Sequence, residues 1–123
     1  MIINLEFVIN LHETLIDKTG GIKGVRDYNL LDSLISSVYQ TFNGKDLYPN
    51  EIEKICRISY LLNTRHPFYD GNKRIAMHIL ALILRYEGYH YKPTNEEVVE
   101  IGFKISQNKM NYKDFLVWVN NKI

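Results

Sequence analysis

The sequence has a single cysteine and no surplus of charge. Because Cys56 is alone, an internal disulfide is excluded and a structural zinc site is not expected, which favours a reducing, cytoplasmic compartment. Fifteen basic residues stand against fourteen acidic ones, so the formal net charge is only +1. A chain with this balance has no overall field that attracts nucleic acid or an anionic membrane, and we predict that it binds neither directly.

Long apolar runs, internal repeats and linkers are also missing. The longest apolar stretch, residues 75–84, is interrupted by His78 and is far shorter than the roughly 20 residues that span a bilayer. The first residues show neither the basic region nor the cleavage site of a signal peptide. With 123 residues, 46% of them hydrophobic and 24% charged, the chain has the composition of one compact soluble domain over residues 1–123.

Apolar residues recur every three or four positions in six segments, and this spacing predicts six helices. Each segment follows a residue that can begin a helix, either by capping its first N–H groups or, for Pro49, by occupying its first turn. Gly20 and Gly21 should end the first helix, and Glu97 should complete a capping box in the fifth. The predicted starts lie at or beside Asn4, Asp27, Pro49, Gly71 or Asn72, Thr94 and Asn111.

The fourth predicted helix, which should end near Glu87, is apolar around most of its circumference. A helix of this kind belongs at the centre of a core. We therefore predict an all-α fold, a compact helical bundle around this central helix, in which residues 42–48 could form a short extended flap. The apolar residues of the fourth helix are Ile75, Ala76, Ile79, Leu80, Leu82, Ile83 and Tyr86.

A chemically rich segment lies between the third and fourth predicted helices. The first N–H groups of a helix bind anions, phosphate above all, and Gly71 allows the backbone to approach a ligand closely. Lys73 and Arg74 add positive charge at the same helix terminus. The segment reads His66-Pro67-Phe68-Tyr69-Asp70-Gly71-Asn72-Lys73-Arg74.

Two further residues of this segment suit group transfer from a nucleotide. Asp70 offers the hard oxygen ligand that holds magnesium together with phosphate oxygens. A residue before proline avoids the right-handed helical region, so His66 should lie in a loop after the third helix. There it can accept a proton from an attacking hydroxyl, a role most often filled by histidine.

The segment fits the signature of the Fic family, H-P-F-x-[DE]-[AG]-N-[GK]-R, at every defined position, and the chain resembles Fic/Doc proteins. The resemblance implies a Fic-fold domain that uses magnesium and ATP. It implies that His66 is the base and that Asp70 is the metal ligand. Asn72 and Arg74 would contact phosphates, and Gly71 would contribute its backbone.

Lys73 bears on the group that is transferred. AMP-transferring Fic proteins usually have glycine at this position, whereas Doc toxins have lysine. The resemblance to Doc implies a reversed nucleotide and a kinase-like phosphotransferase that moves a phosphoryl group to a protein hydroxyl. Gly71 is shared with AMP-transferring members, so AMP transfer stays open as an alternative, as does an inactive module that binds nucleotide or antitoxin.

The resemblance also covers residues 20–33, 46–49 and 88–89, and thus nearly the whole chain. It implies a death-on-curing type toxin that inhibits translation, with a threonine of elongation factor Tu as its target. The sequence has no convincing [ST]-x-x-x-E-[GN] motif, by which some Fic proteins block their own site. Control is therefore expected from a separate chain, a Phd-like antitoxin.

Several residues outside the proposed roles are interpreted more simply. His12, His78 and His90 lack the spacing of metal ligands and are read as helix-face or loop residues, although His78 shares the helix face of the motif's arginine. Tyr69 occupies the variable motif position and faces either the edge of the core or a ligand. Arg26 could bind phosphate, but it is expected instead to pair with an acidic residue and so to fix the glycine-rich loop.

Overall fold

The structure, a computed structural model, describes residues 2–123. It contains six α-helices, one turn of 3₁₀-helix and a two-stranded antiparallel hairpin, which confirms the predicted all-α class. The hairpin pairs Thr41 with Asp46 and Phe42 with Lys45, in the region of the predicted flap. In chain order the elements are α1 (Leu5–Thr19), α2 (Tyr28–Ser36), the 3₁₀ turn (Ser37–Tyr39), β1 (Thr41–Phe42), β2 (Lys45–Asp46), α3 (Glu51–Arg65), α4 (Asn72–Tyr86), α5 (Asn95–Ser106) and α6 (Tyr112–Asn120).

Four helices begin at the caps that the sequence predicts. The side chains of Asn4, Asp27, Thr94 and Asn111 each accept a hydrogen bond from the backbone N–H three residues further on. In α5 the capping box is complete, because Glu97 also accepts from the backbone N–H of its cap. These bonds satisfy N–H groups that have no partner inside the helix.

The predicted start of α3 is wrong by two residues. Pro49 does not lie in the first turn; it precedes the cap, which is Asn50. The Asn50 side chain accepts from the Glu53 N–H at 2.8 Å and donates to the Glu53 carboxylate at 3.2 Å. An asparagine that satisfies a helix N–H group stabilises the start of a helix more directly than a proline that merely lacks one.

Helix α4 lies in the middle of the bundle, packed against α1, α3 and α5. Most of its apolar residues are buried, as predicted. Leu82 is 39% and Tyr86 is 70% exposed, so the prediction that these two belong to the buried surface of α4 is wrong. They lie on the strip of α4 that faces solvent. Neither α4 nor any other helix within residues 2–123 combines the length and the apolar character needed to cross a bilayer.

Two loops meet above the N-terminus of α4. The loop of residues 20–27, between α1 and α2, lies beside the motif loop of residues 66–71, which joins α3 to α4. Val25 and Phe68 form an antiparallel bridge. The carbonyl of Pro67 accepts from the N–H groups of Arg26 and Asp27 at 2.8 and 3.0 Å. The first loop therefore supports the second along its length.

Candidate active site

An open cavity of about 590 Å³ lies at the junction of α3 and α4. This volume is within the range of small-molecule binding sites. All six residues that the sequence predicts for the site are on its wall, together with three others. The lining residues are Arg26, His66, Phe68, Tyr69, Asp70, Gly71, Asn72, Lys73 and Arg74.

His66 stands at the C-terminus of α3, as expected for a residue before proline. Its backbone is left-handed, with φ 54° and ψ 58°, and so lies outside the right-handed helical region. The side chain is exposed to the cavity. Within residues 2–123 no hydrogen bond engages the imidazole, so both ring nitrogens remain available to a ligand.

The guanidinium of Arg26 holds the backbone of His66 in place. Its Nε and Nη2 donate to the His66 carbonyl at 2.8 and 2.5 Å, and Nη2 also donates to the Arg65 carbonyl at 3.2 Å. The predicted acidic partner of Arg26 is therefore wrong: the partners are carbonyls at the end of α3, which lack intrahelical donors. Arg26 joins the cavity wall and fixes the candidate base through its backbone.

The carboxylate of Asp70 is held by backbone N–H groups from both loops. Oδ2 accepts from Ile22 at 3.0 Å, and Oδ1 accepts from Gly71 at 2.8 Å. These two bonds, with a smaller contribution from the Arg74 guanidinium at 3.4 Å, lower the pKa of Asp70 from its ordinary value. The side chain is therefore ionised near neutral pH, and it lies on the wall of the cavity.

Asp70 fits a magnesium ion that is shared with a polyphosphate. Asp70 is the only carboxylate among the described residues that line the cavity, so it would be the one protein carboxylate there to hold the ion. Magnesium is usually held in this manner, by one or two carboxylates with phosphates and waters. The Asp70 side chain is 40% exposed, and its oxygens retain lone pairs beyond the hydrogen bonds already made.

The N-terminus of α4 opens into the same cavity. Among residues 2–123, α4 is the one α-helix without a side-chain cap, and the residue at its cap position, Gly71, has φ 74°. Its first N–H groups are therefore free to bind an anion. The Asn72 side chain accepts from the Phe68 N–H and donates to the Phe68 carbonyl, both at 3.0 Å, so it closes the motif loop and keeps one amide hydrogen for a ligand.

The two cations of the motif are held differently. Nη1 of Arg74 donates to the Thr19 hydroxyl and to the Gly20 carbonyl, both at 2.7 Å, so α4 is tied to the end of α1. Its Nε–H still points to no protein acceptor within residues 2–123. Lys73 is exposed, and its ammonium lies 5.3 Å from the centre of the Phe103 ring.

His12 belongs to this site although the sequence analysis assigned it only to a helix face. It is buried on α1, and its Nε2 lies 2.7 Å from the carbonyl oxygen of Asp70, which is 58 residues away. Its ring stacks on Phe68 with 3.7 Å between ring centres. Burial lowers the pKa of His12. No local pattern in the sequence signals such a contact.

The remaining histidines and the variable motif residue lie at the edges of the site or outside it. His90 is in an exposed loop. His78 lines a second cavity of about 450 Å³, which shares Lys73 and Arg74 with the first. Tyr69 is 60% exposed at the rim of the first cavity, where it can meet a ligand.

Comparison with known proteins identifies a family for this chain. The model of a family described as the Fic/DOC family matches residues 2–84, a span that includes the whole motif loop and nearly all of α4. No curated protein is significantly similar to this chain. Because the family match covers well over half of the sequence, the chain belongs to the Fic/DOC family, whose members are generally protein-modifying transferases.

Proposed function

We propose that this protein is a Doc-like toxin that transfers the γ-phosphoryl group of Mg-ATP to a serine or threonine hydroxyl of a protein. One observation carries the proposal. A single cavity at an uncapped helix N-terminus brings together an unengaged imidazole, an ionised carboxylate and two cations. That set supplies a base, a metal ligand and a phosphate site, which are the parts that phosphoryl transfer requires.

Each residue has a distinct part in the proposed reaction. The imidazole of His66 accepts the proton of the target hydroxyl as its oxygen forms a bond to the γ-phosphorus and the bond from that phosphorus to the bridging oxygen breaks. ADP is the leaving group. Asp70 would hold magnesium, which when bound neutralises charge on the phosphate oxygens. The N–H groups of α4 from Asn72 onward, with Lys73 and Arg74, bind and orient the phosphates.

Lys73 supports phosphoryl transfer over AMP transfer, and Gly71 does not count against it. Lys73, where AMP-transferring relatives usually have glycine, lines both cavities and places a charged side chain beside the N-terminus of α4. Gly71, which the chain shares with those relatives, has a reason of its own. A Cβ there would lie 2.9 Å from the Ile16 side chain, and φ is positive. The positive φ and the nearby Ile16 side chain account for glycine at this position, so Gly71 does not by itself favour AMP transfer.

The target and the partner in this proposal come from the resemblance to Doc. The target is elongation factor Tu, modified on a threonine so that translation stops. The partner is a Phd-like antitoxin that covers the toxin.

Parallel labelling tests the transferred group. The protein is incubated with purified elongation factor Tu, magnesium and either γ-labelled or α-labelled ATP, and the label on protein is counted. We expect transfer of γ-label alone. Transfer of α-label alone would replace the proposal with AMP transfer, and transfer of neither, with ATP still bound, would indicate an inactive nucleotide-binding module.

Replacement of the candidate base tests the mechanism. His66→Ala should abolish label transfer and growth arrest while ATP binding is kept, because the imidazole is needed for proton transfer and not for the phosphate site. His90→Ala is the matched control, since it removes an exposed histidine far along the chain. Toxicity that survives His66→Ala would refute the assigned base.

A further inference from the structure

The buried imidazole of His12 is hydrogen-bonded to the backbone at the start of the proposed phosphate site. His12 is 2% exposed on α1, and its Nε2 is 2.7 Å from the carbonyl oxygen of Asp70. Because a carbonyl oxygen only accepts, Nε2 must be the protonated nitrogen and the donor. The ring lies parallel to that of Phe68, at 8° between planes, so both its polar edge and its face are fixed.

The chemical nature of this side chain is explained by the hydrogen bond and not by packing. An aliphatic residue could fill the space beside Phe68 without the free-energy cost of removing an imidazole from water. A buried polar group is tolerated where it is paired, and the pairing here is with the backbone of the motif loop.

The bonded peptide joins the two functional parts of the site. On one side it carries the Asp70 carboxylate. On the other it carries Gly71, whose N–H donates to that carboxylate at 2.8 Å and whose carbonyl accepts from Ile75 in the first turn of α4. With its carbonyl turned toward His12, this trans peptide directs its N–H to the opposite side, toward the carboxylate. A rotation of the peptide would move both the candidate metal ligand and the helix N-terminus.

We infer that His12 is a positioning residue that sets the Asp70–Gly71 peptide and thereby the affinity of the site for magnesium-bound polyphosphate. This inference rests on the proposed function, in that it assumes a magnesium–nucleotide ligand. It gives α1, which lies outside the motif, a part in shaping the site. His12 touches no ligand and acts through the backbone of Asp70.

The test measures binding and does not depend on turnover. His12→Leu removes the donor at similar volume, and His12→Gln restores an N–H donor near the position of Nε2. Val8→Ala, which truncates a buried side chain one turn earlier on α1, is the matched control for lost stability. Dissociation constants for ATP with and without magnesium are measured by calorimetry, and melting temperatures are recorded for every variant.

We expect His12→Leu to weaken binding of Mg-ATP roughly tenfold and to reduce the gain that magnesium confers, the effect of losing one buried hydrogen bond. The dissociation constant of His12→Gln for Mg-ATP should stay within roughly threefold of that of the unmodified protein. Val8→Ala should bind Mg-ATP normally even if its melting temperature falls as much as that of His12→Leu. Should His12→Leu not fold, His12→Asn takes its place, because its shorter amide does not reach the Asp70 carbonyl.

Three results would overturn the inference. Normal Mg-ATP binding by His12→Leu would show that the Nε2 donor of His12 does not affect the affinity of the site. Equal weakening in Val8→Ala, or no recovery in a folded His12→Gln variant, shows that only general stability matters. An unmodified protein that binds no Mg-ATP would instead remove the proposed function, and the inference with it, so the two failures are distinguished by the unmodified protein alone.

Discussion

Replacing Gly21 with alanine should separate the placement of the Asp70 carboxylate from the stability of the fold. A Cβ on Gly21 would lie 2.6 Å from Asp70 Oδ2 and 3.0 Å from the Arg74 guanidinium. The oxygen must move by about 0.8 Å to reach the ordinary contact distance of 3.4 Å. Rotation about the side-chain bonds of Asp70 permits that shift, so the carboxylate should leave the position in which it accepts from the Ile22 N–H group.

The expected magnitudes differ for stability and for catalysis. Gly21 has φ 123°, a backbone region that strains any other residue by roughly 1–3 kcal/mol. For a chain of this size that is a fall in melting temperature of roughly 3–12 °C. A displacement approaching 1 Å at a site that positions reacting groups lowers kcat/KM by up to about 100-fold.

Gly20→Ala is the matched control for Gly21→Ala. Gly20 also has a positive φ, of 84°, but nothing lies within 4 Å of the added Cβ. It should lose similar stability and keep nearly full activity. The assay is label transfer at several magnesium concentrations, with melting followed by circular dichroism. Equal kcat/KM for the two variants would refute the argument that Gly21 leaves room for the carboxylate.

Two further predictions concern the base and the core. Arg26→Ala should lower kcat roughly tenfold with little change in ATP affinity, because the His66 backbone loses its charged donors while the proposed phosphate site is unchanged. Lys23→Ala, which removes a positive charge from the same loop, is the control. Equal losses of kcat in the two variants would contradict the role assigned to Arg26. Burial raises the pKa of Cys56 to about 12, so the thiol should resist thiol reagents at pH 8 in the folded protein and react once denatured. As the pH rises, the thiol loses its proton in the unfolded chain before it does so in the folded protein. Its contribution to folding is therefore complete below pH 9 and is lost as the pH rises toward 12. A Cys56→Ala variant should show a shallower fall in melting temperature above pH 9 than the unmodified protein, and an equal fall would contradict the raised pKa.

The helices could be predicted from the sequence because their signals are local. A cap acts over three residues, and Asn4, Asp27, Thr94 and Asn111 can be predicted from residue type and from the apolar segment that follows each of them. The prediction for α3 was wrong where two local signals, Pro49 and Asn50, competed for one helix start. Apolar periodicity identified α4 as central, but it could not show which of its apolar residues would stay uncovered, because that depends on where the other helices pack.

The candidate site divides in the same way. The motif from His66 to Arg74 is contiguous, and the roles proposed for its residues follow from their type and order. The supports behind it could not. Arg26 lies 40 residues from the carbonyl it holds and His12 lies 58 residues from Asp70, and nothing in either local stretch specifies these partners.

The sequence by itself determined six helices and one segment whose residue types suit phosphate binding and proton transfer, since both depend on neighbours within a few positions. Only the tertiary structure decided how that segment is held. Packing of α1 and of the glycine-rich loop against the motif loop brings Gly21, Ile22 and His12 to Asp70, and Arg26 to His66. Such contacts form when distant parts of the chain bury a common core, and their geometry is a property of the whole fold.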